Sequence, residues 1–274
     1  GWNNTDVTVT FSCTDALSLV APGNPTGSTT LTANTVLDGV NVTGNCQDNA
    51  GNNATTTVGP IKIDKTPPTI AITVPANGAS YLLNATVTSA YSCADALSGV
   101  NSCAGPAPSG ANIDTSTPGL RTFTVGAADL AGNSTVGAQS YLVTYQFTGF
   151  LSPLATAGPP DNPSDSGTAN FGNAVPLKWQ LRDGAGAFIR NNLATLYTLY
   201  AIRNTDCADG AEGPSFLLYN PTVGATGGSV FRYDAGNNQY IFNWDTNFVE
   251  EKGCYNVVAT LNDTMVYATK IQLR

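Results

Sequence analysis

The sequence contains no histidine, a single methionine and few charged residues, which make up 11% of its 274 positions. Without histidine, histidine-based catalytic triads and the commonest general base are excluded. A glycosidase-type pair of carboxylates would have to come largely from scattered aspartates, because the glutamates are Glu212, Glu250 and Glu251. No glycine-rich phosphate loop follows a strand and opens a helix. The sequence therefore predicts a protein that is not an enzyme.

Basic residues are scarce as well. The chain has 11 lysines and arginines against 19 aspartates and glutamates, which gives a net charge of −8. Such a chain lacks the basic patches that bind nucleic acid or an anionic membrane surface. No apolar run is long enough to span a bilayer. We therefore expect neither a nucleic-acid partner nor insertion into a membrane.

Turn-forming residues are abundant instead, since the chain has 28 glycines and 16 prolines. With threonine, asparagine and serine as the main polar residues, this composition favours many short strands over helices. Period-two alternation of apolar and polar residues indicates strands at Val7–Cys13, Ile70–Val74 and Tyr240–Trp244. The stretch Leu196–Ile202 is predicted to be a strand rather than a helical turn, because it is rich in aromatic and β-branched residues.

The first half of the chain is an internal repeat. Residues Trp2–Ser18 return as Leu82–Ser98, and Asn45–Asn52 matches Gly126–Asn133. The repeat makes this half two copies of one module of about 80 residues. With the alternating strands, it predicts an all-β fold. The predicted domains are residues 1–66, 67–145 and 146–274.

The two repeats differ at their beginnings. The linker Ile63–Thr69 carries a double proline, which ends a strand and stiffens the connection. The second repeat then has a leading strand, Ile70–Val74, whereas nothing precedes the matching part of the first repeat. The first domain is therefore predicted to lack its first strand. Two explanations stay open: the chain is a fragment of a longer array, or a neighbouring subunit supplies the strand at the uncovered sheet edge.

Several of these segments resemble known families. Gly1–Cys13, the turn Asp48–Asn52 and the linker Ile63–Thr69 resemble tandem bacterial Ig-like repeats of large secreted and surface proteins. Residues from about 146 resemble the carboxy-terminal PxKF domain, through Tyr145–Phe150, Val175–Leu181, Leu261–Thr264 and Ile271–Arg274. Trp179 stands where that pattern has phenylalanine, and the insertion before Pro176 is longer than expected. The resemblance implies two tandem Ig-like β-sandwiches followed by a larger C-terminal β-sandwich domain, all on the bacterial exterior, and assigns no catalytic residues.

The six cysteines are distributed two per predicted domain. Cys46 aligns with Ala127, and Cys103 has no counterpart in the first repeat. If Cys13 and Cys93 are equivalent, each repeat therefore offers its cysteine one different partner. We predict the disulfides Cys13–Cys46, Cys93–Cys103 and Cys207–Cys254, which indicate an oxidising, extracellular or cell-surface location. Zinc binding is a weak alternative without histidine or a C-x-x-C motif. Reactive thiols need an activating basic neighbour, and only Lys252 beside Cys254 offers one.

Pairs of aspartates define a candidate metal site. In an Ig-like sandwich, the strands that end at Cys13 and Cys46 run in the same direction, so aspartates shortly after them emerge at one tip. These are Asp15 and Asp48 in the first repeat, and Asp95 and Asp129 in the second. Two carboxylates with turn oxygens could bind Ca²⁺. The alternative is that each aspartate hydrogen-bonds its own turn. No cofactor other than such a Ca²⁺ ion is expected.

Two further sets of residues are candidates for surface roles. Asn-x-Ser/Thr triplets mark glycosylation acceptors if the host glycosylates asparagine, at Asn3, Asn41, Asn53, Asn84, Asn133 and Asn262. Aromatic residues could form a sugar-stacking platform, although alternation favours a core position for several of them: Trp2, Trp179, Tyr233, Tyr240 and Trp244.

These observations favour a non-catalytic structural component of the bacterial cell exterior. A stalk, an adhesin segment or a filament subunit joined by strand donation fits stiff linkers, disulfides and a surface of low charge. Its expected partners are copies of itself or upstream domains of the same polypeptide. The alternative is a carbohydrate-binding accessory region of a secreted enzyme, with surface glycans as partners. Since residue 1 is Gly1 and the single methionine is Met265, we expect a cleaved signal peptide or a longer precursor.

Overall fold

The structure is a computed structural model that describes residues 1–154, 167–190, 192–204, 212–228 and 230–274. Regular structure in these ranges is almost entirely β-strand, and the only helical elements described are two 3₁₀ turns, Leu193–Thr195 and Thr246–Val249. The predicted all-β fold class is therefore confirmed. No helix in the described ranges is both long enough and apolar enough to cross a membrane.

The first repeat forms two small sheets. Its strands are β1 (Trp2–Asn3), β2 (Val7–Val9), β3 (Thr29–Leu31), β4 (Val40–Gln47) and β5 (Asn53–Ile63). One sheet has the order β1–β5–β4, with β1 parallel to β5, and the other pairs β2 with β3. Phe11 packs against an apolar core of four buried side chains: Val9, Val42, Ile61 and Ile63.

The second repeat also forms two sheets. Its strands are β6 (Thr69–Val74), β7 (Ala79–Leu82), β8 (Ala90–Ala94), β9 (Val100–Ala104), β10 (Gly119–Asp129) and β11 (Ser134–Thr144). One sheet pairs β6 with β8, and the other has the order β7–β11–β10–β9. Alternate residues of β10 point into the core, where Phe123, Val125 and Ala127 are buried.

The remaining residues form a four-stranded and a six-stranded sheet. The strands are β12 (Gln146–Leu151), β13 (Thr168–Ala169), β14 (Ala174–Arg182), β15 (Leu196–Asn204), β16 (Glu212–Asn220), β17 (Gly224–Ala225), β18 (Arg232–Asp234), β19 (Gln239–Asp245), β20 (Gly253–Leu261) and β21 (Val266–Leu273). The sheet orders are β12–β14–β19–β18 and β13–β21–β20–β15–β16–β17. The strand predicted at Leu196–Ile202 is confirmed as part of β15.

Backbone proximity divides the chain into two compact units. The first contains Gly1–Ala76, Thr88–Ala111 and Phe123–Gln139, and the second contains Asn77–Val87, Asn112–Thr122 and Ser140–Arg274. Residues of the second repeat therefore belong to both units. The boundaries predicted from the sequence, after residues 66 and 145, stay predictions.

Strand β2 is shorter than its alternating sequence predicts. The alternation continues to Cys13, but the strand ends at Val9, and no residue from 10 to 15 is assigned to a strand. In the second repeat the matching residues form β8, because β6 pairs with them in antiparallel register, for example Ile70 with Cys93. The first repeat has no such leading strand among the described residues. Residues 10–13 of the first repeat alternate like a strand, but they have no neighbouring strand to pair with and so form no ladder of hydrogen bonds.

The linker between the first two repeats is fixed by residues of the first repeat. Oδ1 of Asn34 accepts a hydrogen bond from the N–H of Lys65 at 2.8 Å, and its amide donates to the Thr66 hydroxyl at 2.7 Å. Lys65 also forms an ion pair with Asp6. Pro68 is buried. The double-proline segment is thus held by side-chain contacts as well as by the restricted geometry of proline.

Candidate functional site

Three carboxylates lie together where the linker meets one tip of the second repeat. One carboxylate oxygen each from Asp64, Asp95 and Asp129 lies within 4.8 Å of the other two. Asp64 follows β5, Asp95 follows β8, and Asp129 is the last residue of β10. Asp64 is fully buried, Asp129 is 1% exposed, and Asp95 is half-buried. We call these three residues the acidic cluster.

Asn133 organises one side of the acidic cluster. Its N–H donates to Oδ1 of Asp129 at 2.8 Å, and its side-chain amide donates to Oδ2 of Asp129 at 2.7 Å. The same amide nitrogen donates to the backbone oxygen of Asp64 at 2.8 Å. Gly132 closes the intervening turn with a φ of 95°, which glycine adopts without steric cost. One asparagine therefore joins the end of β10 to the linker.

The loop after β8 supplies hydrogen bonds to the other two carboxylates. Oδ1 of Asp95 accepts from the N–H of Gly99 at 2.7 Å. Asp64 accepts from the N–H of Ser98 at 3.0 Å and from the N–H of Thr66 at 2.9 Å. Burial disfavours the charged form of Asp64, but the hydrogen bonds from Ser98 and Thr66 outweigh it and lower the pKa of this carboxyl. Asp64 is therefore ionised at neutral pH.

The acidic cluster permits two chemical roles. Among the described residues, no lysine or arginine forms an ion pair with it. Three carboxylates with neighbouring amide and backbone oxygens are the hard oxygen donors that Ca²⁺ takes. The same carboxylates also satisfy the N–H groups of tight turns, which is the ordinary role of aspartate in loops. Both interpretations made from the sequence therefore stay open.

Two members of the acidic cluster are predictable from the sequence, and the third is not. The repeat pairs Asp95 with Asp129, and the structure brings these two together. Asp64 belongs to the linker Ile63–Thr69 and has no place in that pairing. The signal that could have found it is its position directly after β5 and before the double proline, because β5 carries the chain to the side where the second repeat begins.

The first repeat carries the same turns without a third carboxylate. Asp15 accepts from the N–H of Ser18 at 2.7 Å, and Asp48 accepts from the N–H and side-chain amide of Asn52 at 2.8 and 2.7 Å. The Ser18 backbone hydrogen bond is the main cause that lowers the pKa of Asp15, and the Asn52 side chain has the same effect on the pKa of Asp48. Within the described ranges, no third acidic residue joins this pair.

Each of the two repeats contains one disulfide. The structure bonds Cys13 to Cys46, with their Cα atoms 6.2 Å apart, and Cys93 to Cys103, with their Cα atoms 5.9 Å apart. These are two of the pairs predicted from the repeat. Cys254 is buried in β20. Its predicted partner, Cys207, lies outside the described residues, so that pair stays a prediction.

The candidate glycosylation positions differ in exposure. Asn133 and Asn262 are half-buried, whereas four are exposed: Asn3, Asn41, Asn53 and Asn84. The side-chain amide of Asn133 already donates two hydrogen bonds, and Oδ1 of Asn262 is buried. Asn133 and Asn262 are thus poorly placed to carry a glycan, and the exposed positions remain candidates.

The aromatic residues considered as a sugar platform lie mainly in the core. Trp179, Tyr240 and Trp244 are fully buried on β14 and β19, as their alternation predicts. Trp2 and Tyr233 are half-buried. A ring without solvent exposure cannot stack on a carbohydrate, so these five residues do not form a platform.

Comparisons with known proteins report similarity to multi-domain β-sandwich proteins. The chain is similar to the fibronectin(III)-like modules of CbhA from Clostridium thermocellum, at 14% identity over 75% of this chain and 94% of that chain, with a TM-score of 0.25. It is similar to the N-terminal eight Ig domains of the cell adhesion molecule DSCAM, at 11% identity over 100% of this chain and 34% of that chain, with a TM-score of 0.27. It is also similar to extracellular cadherin domains 3–6 of protocadherin gamma B2, at 12% identity over 98% of this chain and 65% of that chain, with a TM-score of 0.27.

No family model matches the chain, and no curated protein matches it. The resemblances to bacterial Ig-like repeats and to the PxKF domain therefore stay expectations. At TM-scores this low, the structural likenesses do not bear on function.

Proposed function

We propose that this chain is a non-catalytic structural component of the bacterial cell exterior, as a stalk, an adhesin segment or a filament subunit. Its described residues form consecutive pairs of β-sheets, and each of the two repeats contains a disulfide. Disulfides form and persist in oxidising compartments, which supports an extracellular location. The observation that carries the proposal is the parallel pairing of an early and a late strand in each repeat.

This parallel pairing suits resistance to tension. In the first repeat β1 is parallel to β5, with Trp2 beside Lys62. In the second repeat β7 is parallel to β11, with Ala79 beside Tyr141. In the first repeat these strands are the first and the last, and in the second repeat β7 follows β6 and β11 is the last strand. A pull along the chain therefore slides them past each other and loads their evenly spaced hydrogen bonds together.

The junction between the repeats supports the same role. The N–H of Asp64 donates to the backbone oxygen of Asn3 at 2.8 Å, which ties the linker to the first repeat. The side chain of Asp64 accepts from the N–H of Ser98, and its backbone oxygen accepts from Asn133, which ties it to the second. A junction bonded on both sides limits the bending of one repeat against the next.

Single-molecule force spectroscopy of the oxidised whole chain, held at its two ends, tests this proposal. We expect discrete unfolding peaks. After reduction, the first repeat should release about 110 Å more length, because Cys13 and Cys46 are separated by 33 positions and an extended chain spans about 3.3–3.6 Å per residue.

A matched variant identifies the strands that resist the force. Tyr81→Pro removes a backbone donor from the β7–β11 ladder, because the donors of β7 alternate with the N–H of Leu83, which donates to the backbone oxygen of Thr144 at 2.8 Å. It should lower the peak of the second repeat more than Tyr81→Ala, which removes only the ring. The first repeat of the same molecule is the internal control. Extension of the wild-type chain without a resolved peak would contradict a mechanical role.

Carbohydrate binding, the alternative function, depends on exposed aromatic rings. Trp179, Tyr240 and Trp244 are fully buried. We therefore do not carry it further as a second candidate function.

A further inference from the structure

The first repeat contains a groove at its open sheet edge. The groove has a volume of about 240 Å³. One wall is the irregular segment Phe11–Thr14, and the floor is the inner face of β4 and β5, at Gly44–Cys46 and Ala54–Thr56. Phe11 lies directly over Gly44, because a Cβ atom on that glycine would come within 2.3 Å of the Phe11 ring. We call this feature the strand groove.

The strand groove coincides with the position of β6 in the second repeat. By the internal repeat, Phe11–Thr14 match Tyr91–Ala94, and β6 pairs with those residues in antiparallel register. Thr56 matches Gly137, and a Cβ atom on Gly137 would meet Ile70 Cγ2 at 3.3 Å. The isoleucines of β6 therefore rest on the part of β11 that corresponds to the floor of the groove.

Exposure confirms that a cover present in the second repeat is missing in the first. Leu17 is 97% exposed, whereas its match, Leu97, is half-buried. The inner-face residues Ala54, Thr56 and Val58 are exposed, although inner-face residues of a sandwich are normally covered. The largest apolar residue of the three, Val58, is 45% exposed.

The polar residues of the tip show the same difference. Ser18 and Asp48 are half-buried, whereas their matches in the second repeat are almost completely buried, Ser98 at 6% and Asp129 at 1% exposure. The residue that covers that tip in the second repeat is Asp64, which stands on the same segment as β6. A single missing segment therefore accounts for the exposed apolar face and for the absent third carboxylate.

We propose that the strand groove binds an extended strand of the β6 type from outside the first repeat. The occupant runs antiparallel to Phe11–Thr14 and places alternate apolar side chains on Phe11 and Thr56. An aspartate ahead of its prolines reaches Asp15 and Asp48. This inference rests on the proposed function and deepens it, because it specifies what joins the first repeat to a neighbouring module. Main-chain hydrogen bonds supply affinity in such strand addition, and the pockets for alternate side chains supply specificity.

A synthetic peptide tests the groove directly. The probe is a fluorescent peptide of residues 63–76, which contains the linker and β6, titrated with the oxidised whole chain in Ca²⁺-containing buffer and followed by anisotropy. Calcium is included because the peptide brings a third carboxylate to Asp15 and Asp48. We expect saturable binding. A peptide with Ile70→Asn and Ile72→Asn should bind at least about tenfold more weakly, because it loses both apolar anchors.

A second peptide allows for the different floor of the groove. Thr56 is larger than Gly137, so the side chain opposite it has less room than Ile70 has in the second repeat. A peptide with Ile70→Ala fits that smaller space. Binding of either apolar peptide supports the proposal, and binding of neither overturns it.

Two variants of one strand show where the peptide binds. Thr56→Trp fills the groove, whereas Thr57→Trp places the same side chain on the outer face of β5, where Thr57 pairs with Thr43 through their hydroxyls at 3.0 Å. The first change should abolish binding and the second should leave it unchanged. Equal loss in both variants would contradict the assigned site, and circular dichroism checks that both are folded.

A covalent fusion tests the same position. Residues 63–80 are joined ahead of Gly1, so that the added segment meets the first repeat as β6 meets the second. We expect the fusion to block the peptide because the groove is already filled. Unchanged affinity of the peptide for the fusion would overturn the proposal. That result leaves the force-resistance test of the proposed function unaffected.

Discussion

The first and second repeats share their turns and differ at one edge. Asp48 and Asn52 form the same hydrogen bonds as Asp129 and Asn133, with the same distances of 2.8 and 2.7 Å. Only the second repeat has β6 and the third carboxylate. The comparison shows that turn geometry is determined locally, whereas strand formation and burial depend on a neighbour that the local sequence does not contain.

The largest expected difference between the repeats concerns their disulfides. Replacing Cys13 and Cys46 by alanine should lower the free energy of unfolding by about 3.7 kcal/mol, and replacing Cys93 and Cys103 should lower it by about 2.7 kcal/mol. The two bonds span 33 and 10 positions, and the unfolded chain gains more conformational entropy when the longer loop is opened. Hydrogen exchange of the core amides of each repeat measures both values separately. A larger loss for the shorter loop would contradict this ordering.

The second largest expected effect is the loss of stability when the apolar contacts of β6 are removed, which should make the second repeat resemble the first. Ile70→Asn with Ile72→Asn removes the apolar contacts of β6 and should cost roughly 2 kcal/mol, because both side chains are half-buried. The amides of β8 should then exchange as quickly as those of residues 10–14. Ala71→Asn with Thr73→Asn changes the exposed face of the same strand and is the control. Similar effects of the two double variants would show that β6 does not act through its buried face.

Acid should weaken the second repeat through Asp64. Its pKa is lowered from 3.8 in the folded chain, so its contribution to stability is present above that value and is lost as the pH falls through the lower folded pKa. Asp64→Asn should therefore flatten the decline in melting temperature of the second repeat at acidic pH. An unchanged acid decline in this variant would show that the carboxylate contributes nothing.

The same pair of proteins separates the two roles of the acidic cluster at neutral pH. Melting is compared in Ca²⁺ and in a chelator. A Ca²⁺-dependent rise that disappears in Asp64→Asn establishes a cation site, whereas identical curves leave the aspartates with their turn hydrogen bonds alone.

The smallest expected effect on stability comes from the backbone angle φ at one matching position of the two repeats. Leu19 has a φ of 63°, and the matching Gly99 has a φ of 86°. A side chain in this left-handed region costs about 1 kcal/mol, so Leu19→Gly should stabilise the first repeat and Gly99→Leu should destabilise the second. A Cβ atom on Gly99 would meet its nearest neighbour, Leu130 Cδ1, only at 3.9 Å, so the cost is conformational rather than steric. Thermal melts of both variants measure it, and a destabilising Leu19→Gly would contradict the assignment.

The sequence predicted the features that depend on local patterns. The internal repeat located both pairs of turn aspartates, and alternation correctly assigned Tyr240 and Trp244 to a core. The same repeat predicted two disulfide pairs that the structure contains, Cys13–Cys46 and Cys93–Cys103.

Features that depend on distant partners were not predictable in the same way. Val7–Cys13 alternates like a full strand, but only Val7–Val9 forms one, because pairing requires a second strand. Asp64 belongs to a linker, and its burial follows from hydrogen bonds to Ser98 and Asn133, which lie 34 and 69 positions away. Neither contact leaves a periodic signal in the sequence.

Hydrogen exchange at the open edge tests the central claim most directly. The amides of Ser12 and Thr14 are compared with those of Ser92 and Ala94, with and without the peptide of residues 63–76. The alternate amides of Phe11 and Tyr91 are left out, because they already donate to the hydroxyls of Ser28 and Ser109. We expect protection in the second repeat alone when the peptide is absent, and protection in both repeats when it is bound. Equal protection of both segments without the peptide, or no change in the first repeat at saturating peptide, would contradict a vacant strand position in the first repeat.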